Sequence, residues 1–389
     1  MYITEKLYDL DCYAADFDAL VLACEENAGL YEVYLDRTAF FPEGGGQPAD
    51  AGALDTVEVV DVRETPSGIA HFTRECIAPG TKVRGRIDWE KRFRRMQNHT
   101  GEHIVSGVVH NLYGYNNVGF HMGSEAVTMD FDSYITPEEL REIEYLANKV
   151  VIQNAKVTVS YPSAEELKKL DYRSKIDLTG DVRIVRVEGC DACACCASHV
   201  NSTGQVGIIK LLNSIRYKGG VRVSMLCGFD ALEDYSKKID NVAAVSELLS
   251  AKPNEIASAV TRVKEELAEQ ERKVVEAKRY LGQIILDSLE DTDGNICVFD
   301  LFLDVADLRK LVTAGVEGRS GVFAAFTGND IEGYRYVIGS RTPDLRKRAK
   351  EINEALKGRG GGSAVMLQGS AEASRAEIED YFTGFSVND

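Results

Sequence analysis

His99 and His103 stand four residues apart, and Cys195 and His199 repeat that spacing much later in the chain. Residues four apart on a helix share a face, so both imidazoles of the first pair reach one ion. Imidazole nitrogen and thiolate sulfur together suit zinc better than calcium or magnesium, whose ligands are oxygens. Two ligand pairs far apart in sequence would make the metal join two segments of one fold. Three of the six histidines sit in these two motifs. If all four side chains bind, the tetrahedron is full, and water enters by expansion or by the loosening of one ligand. Cys193 and Cys196 compete with Cys195 for the thiolate position, so the histidines are the firmer part of the set. A purely structural zinc is the alternative, although such sites favour cysteine-rich sets with Cys-x-x-Cys spacing. His99-Thr100-Gly101-Glu102-His103 also fits the H-x-x-E-H pattern of inverted zinc proteases, with Glu102 as general base. That reading leaves Cys195 and His199 without a role, and motifs this short recur by chance.

The rest of the composition bounds what must hold these residues. A chain of 389 residues, 44% hydrophobic and 28% charged, can bury a large core and make about two or three domains. No apolar run of about 18 residues is present, so no membrane span is expected. The start, MYITEKLYDLDCYAADFDALV, has early acidic residues and lacks a basic-then-apolar signal layout. Four of the nine cysteines crowd into Cys190–Cys196, which reads as metal binding or reactivity rather than a disulfide framework. A cytoplasmic protein is the expectation. The net charge of −17 argues against a generally sticky nucleic-acid binder. Two local basic runs stand out, Lys91-Arg92-Phe93-Arg94-Arg95 and Arg346-Lys347-Arg348-Ala349-Lys350, each of which also reads as a solvated helix face.

Hydrophobic periodicity predicts a mixed α+β chain. Residues 1–90 form a β-rich, barrel-like domain, with alternation in Gly29–Asp36 and Val57–Val62 and a Gly-rich stretch, Phe40–Pro48, that reads as a wide turn. Residues 91–235 form a central α/β domain that contains the zinc. Its elements are a helix over 92–113, a helix from Pro137 to about Asn154, and strands at 157–161, 181–187, 206–212 and 221–226. The cysteine cluster falls in a loop between strands. Residues 236–290 form a helical, coiled-coil-like segment, broken at Pro253. Val260, Val263, Leu267, Gln270, Val274, Ala277, Leu281 and Ile284 follow a three-four spacing there, a heptad seam with Gln270 as its polar member, and a homodimer is expected through it. Residues 291–389 form a small, Gly-rich α/β domain.

Three segments in order resemble the alanyl-tRNA editing proteins of the longer AlaX type, free-standing relatives of the alanyl-tRNA synthetase editing domain. They are Phe40-Phe41-Pro42-Glu43-Gly44-Gly45-Gly46-Gln47-Pro48, the stretch Asp88–His103, and Cys195-Cys196-Ala197-Ser198-His199-Val200 followed by Thr203-Gly204. The family usually has Gly-Gly-Thr between the Cys and His of the third segment, where this chain has Cys-Ala-Ser between Cys195 and His199. The resemblance implies hydrolysis of the ester that joins serine or glycine wrongly to alanine tRNA. An alanine site cannot strongly reject glycine, which is smaller, or serine, which adds only a hydroxyl. It further implies zinc as cofactor on His99, His103, Cys195 and His199, and a substrate role for Gln47 with the backbone amides of Gly44, Gly45 and Gly46. Thr38 is the residue expected to contact the serine hydroxyl, and Glu102 is expected to help with proton transfer. The C-terminal domain is expected to contact tRNA through Arg346, Lys347, Arg348, Arg359, Gly360 and Gly361. From Arg341 to Arg359 seven basic residues stand against three acidic ones, an excess of 7 − 3 = 4 positive charges.

Overall fold

A computed structural model describes residues 1–174, 182–289 and 294–386. The chain divides into two compact units, Met1–Ala243 and Ala244–Asp389. The first holds six strands of three residues or more before its first long helix: β1 (Asp16–Asn27), β2 (Leu30–Leu35), β3 (Gly52–Leu54), β4 (Val57–Thr65), β5 (Gly68–Thr73) and β6 (Lys82–Ile87). They close into a barrel in the order β1-β2-β5-β4-β3-β6. Strict alternation makes this possible: Phe17, Ala19 and Val21 of β1 and Val83 and Ile87 of β6 point inward while their neighbours face water. Gly85 is the inward position between the last two, where a Cβ would lie 2.3 Å from the Phe17 ring.

The Gly-rich stretch between β2 and β3 is a tight turn rather than the wide one expected. The backbones of Gly44 and Gln47 bond each other in both directions, at 3.1 and 3.0 Å. Gly45 and Gly46 between them have φ of +59° and +79°, a two-residue turn that glycine enters without strain.

His71 on β5 is fully buried. Its Nδ1–H donates to the Val33 carbonyl at 3.0 Å, which leaves Nε2 to accept from the Thr38 hydroxyl at 2.7 Å. Burial lowers its pKa from the usual 6.5 to about 4. The unfolded chain therefore takes up this proton as pH falls through 6.5, while the folded chain refuses it until about 4. Stability from this group is present above 6.5 and lost as pH drops through that window, by about 3 kcal/mol. Denaturant unfolding between pH 7 and 4 should show this slope, and His71→Gln should flatten it. Equal slopes for both proteins would rule the effect out.

After the barrel comes α1 (Trp89–Tyr113), three residues longer at its start than expected because Asp88 caps it, accepting from Lys91 N at 3.2 Å. Gly114, at φ +71°, ends it. Every residue of α1 from Met96 to Val109 is buried. Around it lie β7 (Asn117–Met122), β8 (Val127–Phe131), α2 (Pro137–Gln153), β9 (Val157–Ser160), β10 (Ile184–Val187), β11 (Asp191–Ala194), β12 (Ile209–Tyr217) and β13 (Gly220–Cys227). They form two antiparallel sheets, β12-β13-β8-β7 and β9-β10-β11. Two expectations change here. The strand read from Val206 starts at Ile209, after a 3-10 turn at Thr203–Val206. The middle of the cysteine cluster, Asp191–Ala194, is itself strand β11, which pairs with β10, and Cys195–Val200 after it is irregular. Residue 181 of the expected strand 181–187 lies outside the described residues.

The basic run at the start of α1 is not a solvated face. Arg92 is fully buried and gives both sides of its fork to Asp50, with further bonds to the carbonyls of Cys12 and Ala39. Arg94 is held by Glu90, Asp230 and Glu233, and Arg95 reaches the Ala49 carbonyl at 2.7 Å. These bonds tie α1 to the barrel and to α3 (Gly228–Leu249), which runs unbroken across residue 235.

The second unit contains α4 (Ile256–Ser288), β14 (Ile296–Phe299), α5 (Val305–Gly315), β15 (Val322–Asn329), β16 (Gly333–Ser340), α6 (Leu345–Ala355), β17 (Arg359–Gly362), β18 (Met366–Ala371) and α7 (Arg375–Thr383). Its sheet has the order β14-β15-β16-β18-β17. Of the seam on α4, Leu281 packs into the core with Leu308 and Val312, while Val260, Val263, Leu267, Gln270, Val274 and Ile284 are exposed. The glycines after α6 are the edge strand β17 rather than a loop. A Cβ at Gly360 would stand 1.9 Å from the Tyr336 hydroxyl, so the edge closes over that ring only with glycine there. Arg346, Lys347 and Arg359 are exposed. Arg348 is instead engaged with Glu351 and stacks on Phe385, 4.5 Å from its centroid. Among the described residues no helix is long and apolar enough to cross a membrane.

Candidate metal centre

A buried helix with seven polar side chains in its middle must satisfy each of them. On α1 that requirement builds a site. His99 and His103 project from one face, one turn apart, and the irregular stretch after β11 brings Cys195 and His199 to them. The thiol Sγ lies 3.5 Å from His99 Nε2 and 3.4 Å from His199 Nε2. The four ligand atoms of His99, His103, Cys195 and His199 all lie within 4.8 Å of one another. These four could hold a metal ion. Of the cysteines left open by the sequence, Cys195 joins this group. Cys193 belongs to a second cluster with His103 and Asp191, and Cys196 is exposed.

The second pair shares the spacing of the first but not its conformation. Cys195 to His199 is not helical; Arg183 shapes it by donating from Nη1 to the carbonyls of Cys195 and Ala197, at 2.8 and 2.9 Å.

Each imidazole is oriented through its far nitrogen. His99 Nδ1 meets Gln47 Oε1 at 3.0 Å, and His199 Nδ1 meets Thr100 Oγ1 at 3.1 Å. His103 Nδ1 lies 3.1 Å from Asp191 Oδ2, a bent approach that acts as an ion pair more than a straight hydrogen bond. With Nδ1 engaged on all three rings, Nε2 faces the shared centre, as metal-binding histidines require. Asp191 and Thr100 were missed in the sequence, as was the link from Gln47 to His99.

The electrostatics fit a cation. Burial pushes the Cys195 thiol up, but His99 and His199 beside it, with bonds from His103 and His199, hold it well below its usual range. Burial pushes His199 down to about 3, so its ring stays neutral and free to ligate. Burial also opposes a charge on His103, but Asp191 and Cys195 outweigh it and raise its pKa. A thiolate with neutral imidazoles is the state that binds metal, so the proton favoured on His103 must leave as an ion enters.

Around this centre, Gln47 is fully buried and its Nε2 has no hydrogen-bond partner among the described residues. The Gly44 amide is consumed by the turn. Gly46 lies so close to Phe120 that a Cβ would be 2.6 Å from the ring, and that ring lies tilted against His99 with centroids 4.6 Å apart. Glu102 is buried, not a surface carboxylate. Its Oε1 accepts from Ser106 at 2.8 Å and Asn117 at 2.5 Å, and its Oε2 is 3.8 Å from His103 Nε2. Thr38 is buried in the barrel with its proton given to His71 and its oxygen accepting from Phe40 N at 3.1 Å. One lone pair remains on that oxygen. Arg346, Lys347, Arg348, Arg359, Gly360 and Gly361 belong to the second unit.

Residues 182–227 match the family model described as the threonyl and alanyl tRNA synthetase second additional domain, a span that includes Cys195 and His199. The alanine–tRNA ligase of Ignicoccus hospitalis is 31% identical over 389 residues, covering 97% of this chain and 42% of the ligase. That of Pyrococcus abyssi is 30% identical over 394 residues, with 94% and 42% covered. The chain thus spans less than half the length of these ligases. The alanyl-tRNA editing protein Aarsd1-A of Xenopus laevis is 28% identical over 391 residues, with 95% of each chain covered.

Proposed function

This chain is a relative of the alanyl-tRNA editing proteins along nearly its whole length, and from that premise we propose that it hydrolyses serine, or glycine, from wrongly charged alanine tRNA with the help of zinc. The observation that carries this reading is the group of three buried imidazoles and one thiol beside a glutamine whose Nε2 has no hydrogen-bond partner among the described residues. Zinc–nitrogen and zinc–sulfur bonds of roughly 2.0–2.3 Å in a tetrahedron separate nitrogen from sulfur by about 3.5 Å, which is the spacing found around Cys195.

When bound, zinc supplies positive charge and Lewis acidity at the meeting point of the four donors. Gln47 holds His99 through Oε1 and offers its free Nε2–H to the ester carbonyl, where negative charge develops during attack. Glu102 accepts a proton from water on the His103 side of the centre. Thr38 accepts from the serine hydroxyl with its remaining lone pair. The assay is release of serine from mischarged alanine tRNA by metal-loaded and chelator-treated protein. Release that is equal in both, or absent in both, counts against the reading.

A second reading is favoured by the closure of the group: four protein ligands are the habit of structural zinc. On that reading the chain is a tRNA-binding or assembly module, and metal removal unfolds it.

The second unit is proposed to touch tRNA phosphates through the exposed Arg346, Lys347 and Arg359, with Gly360 and Gly361 keeping the β17 edge free of side chains. Arg348 is committed to Glu351 and contributes less. Changing Arg346 and Lys347 to Ala should lower the slope of log affinity against log salt by about 2. An unchanged slope would move RNA recognition to the first unit. The exposed α4 seam is proposed to pair with a second copy. Light scattering should give a dimer mass at high concentration, and a monomer mass throughout would remove that proposal.

A further inference from the structure

Behind His103 lies an ion pair that the ester chemistry does not use. The Asp191 side chain is buried, and Arg173 binds both its oxygens, Nε to Oδ1 at 2.7 Å and Nη2 to Oδ2 at 2.9 Å. We propose that Asp191, braced by Arg173, is the positioning residue that sets how tightly His103 holds the metal. The inference rests on the zinc reading above.

The three imidazoles have unequal partners. His99 has a neutral amide oxygen, His199 a neutral hydroxyl, and His103 a carboxylate. A carboxylate beside Nδ1 polarises the ring more than a neutral group does, so Nε2 becomes the stronger donor. His103 is therefore the imidazole on which the metal's affinity depends most.

The fold builds this contact deliberately on both sides. Arg173 is bolted to β11 by its backbone: its N donates to the Ala192 carbonyl at 2.8 Å, and its carbonyl accepts from Ala194 N at 2.9 Å. The guanidinium and the carboxylate thus start from adjacent, fixed points. On α1, one turn after His103, Gly107 lets β11 come close, since a Cβ there would be 2.8 Å from Asp191 Cβ. The fork of Arg173 holds both carboxylate oxygens and keeps Asp191 from turning in to become a ligand itself. His103, Asp191 and Cys193 are near enough to one another to hold an ion of their own. The guanidinium on that carboxylate opposes a second cation there.

The test is zinc affinity of the full chain, measured by competition with a chromophoric chelator, together with thermal melts of the metal-free protein. Asp191→Asn should still bind one zinc per chain but about 10–100-fold more weakly. In the double variant Asp191→Asn, Arg173→Gln both buried charges are gone. Its metal-free melting temperature should return close to wild type while the zinc defect remains. The double variant also serves if the single one does not fold. Recovery of wild-type affinity in the double variant would overturn the proposal, because the pair would then be a brace for the strand alone. So would two zinc ions per wild-type chain falling to one in Asp191→Asn, since Asp191 would then be a ligand. A wild-type chain that binds no zinc overturns the zinc reading, and this inference with it, before any variant is made.

Discussion

Changing Cys195 to Ser or His103 to Ala is expected to strip the zinc at micromolar chelator and to abolish serine release from mischarged alanine tRNA. The size follows from the site. A four-ligand zinc contributes about 10–16 kcal/mol, so one ligand is worth about 3 kcal/mol, or more than about 100-fold in affinity. Loss of the thiolate also removes the one formal negative charge in the ligand set. Two further measurements separate the two readings of the metal. If the variants keep their near-ultraviolet dichroism and bind tRNA while hydrolysis disappears, the zinc works in catalysis. If they unfold, the metal is a staple. Retention of full hydrolysis in the zinc-free variants would sink the zinc-dependent mechanism. Here the fold offers support independent of metal: α1 is capped at both ends, and its core residues pack with β8, β12 and β13.

Asp50→Ala should be the most damaging substitution away from the metal. Asp50 and Arg92 are both fully buried. Asp50 also accepts from Phe41 N at 2.7 Å, which anchors the chain just before the Gly44–Gln47 turn. Removing the carboxylate leaves a guanidinium in the core with only the Cys12 and Ala39 carbonyls for company, a loss of about 3–5 kcal/mol. The consequence reaches function, because this pair couples the element that carries His99 to the one that carries Gln47. Denaturant melts give the stability change, and the double variant Asp50→Ala, Arg92→Met should recover part of it by removing the stranded charge. A change below about 1 kcal/mol in the single variant would mean that water or a neighbouring group neutralises Arg92 and that the linkage is weak.

Much of the metal centre was legible without coordinates. A helix repeats every 3.6 residues, so His99 and His103 had to share a face wherever α1 packed. The alternation in Gly29–Asp36 and Val57–Val62 predicted strands, and β2 and β4 stand there. Pro137 marked the start of α2, where it sits in the first turn behind the Thr136 cap. These are local effects, written in neighbours along the chain. The basic run 91–95 shows their limit. Its residue types say nothing of whether Arg92 meets water or Asp50, because that depends on a partner 42 residues earlier.

What tertiary structure alone decided is the set of groups behind the ligands. Gln47 reaches His99 because the barrel turn packs against Phe120, and Thr100 reaches His199 because the irregular stretch after β11 folds over α1. Asp191 reaches His103 through strand register and the missing side chain at Gly107. None of these pairs shares a periodicity, and each polar group would read as an ordinary turn, helix or strand residue. By itself the sequence determined which groups were fit to hold a metal: three imidazoles and one thiolate out of Cys193, Cys195 and Cys196. The burial of α1 decided the rest, since each ligand buried there needed a partner for its far nitrogen, and only the packed fold could supply one.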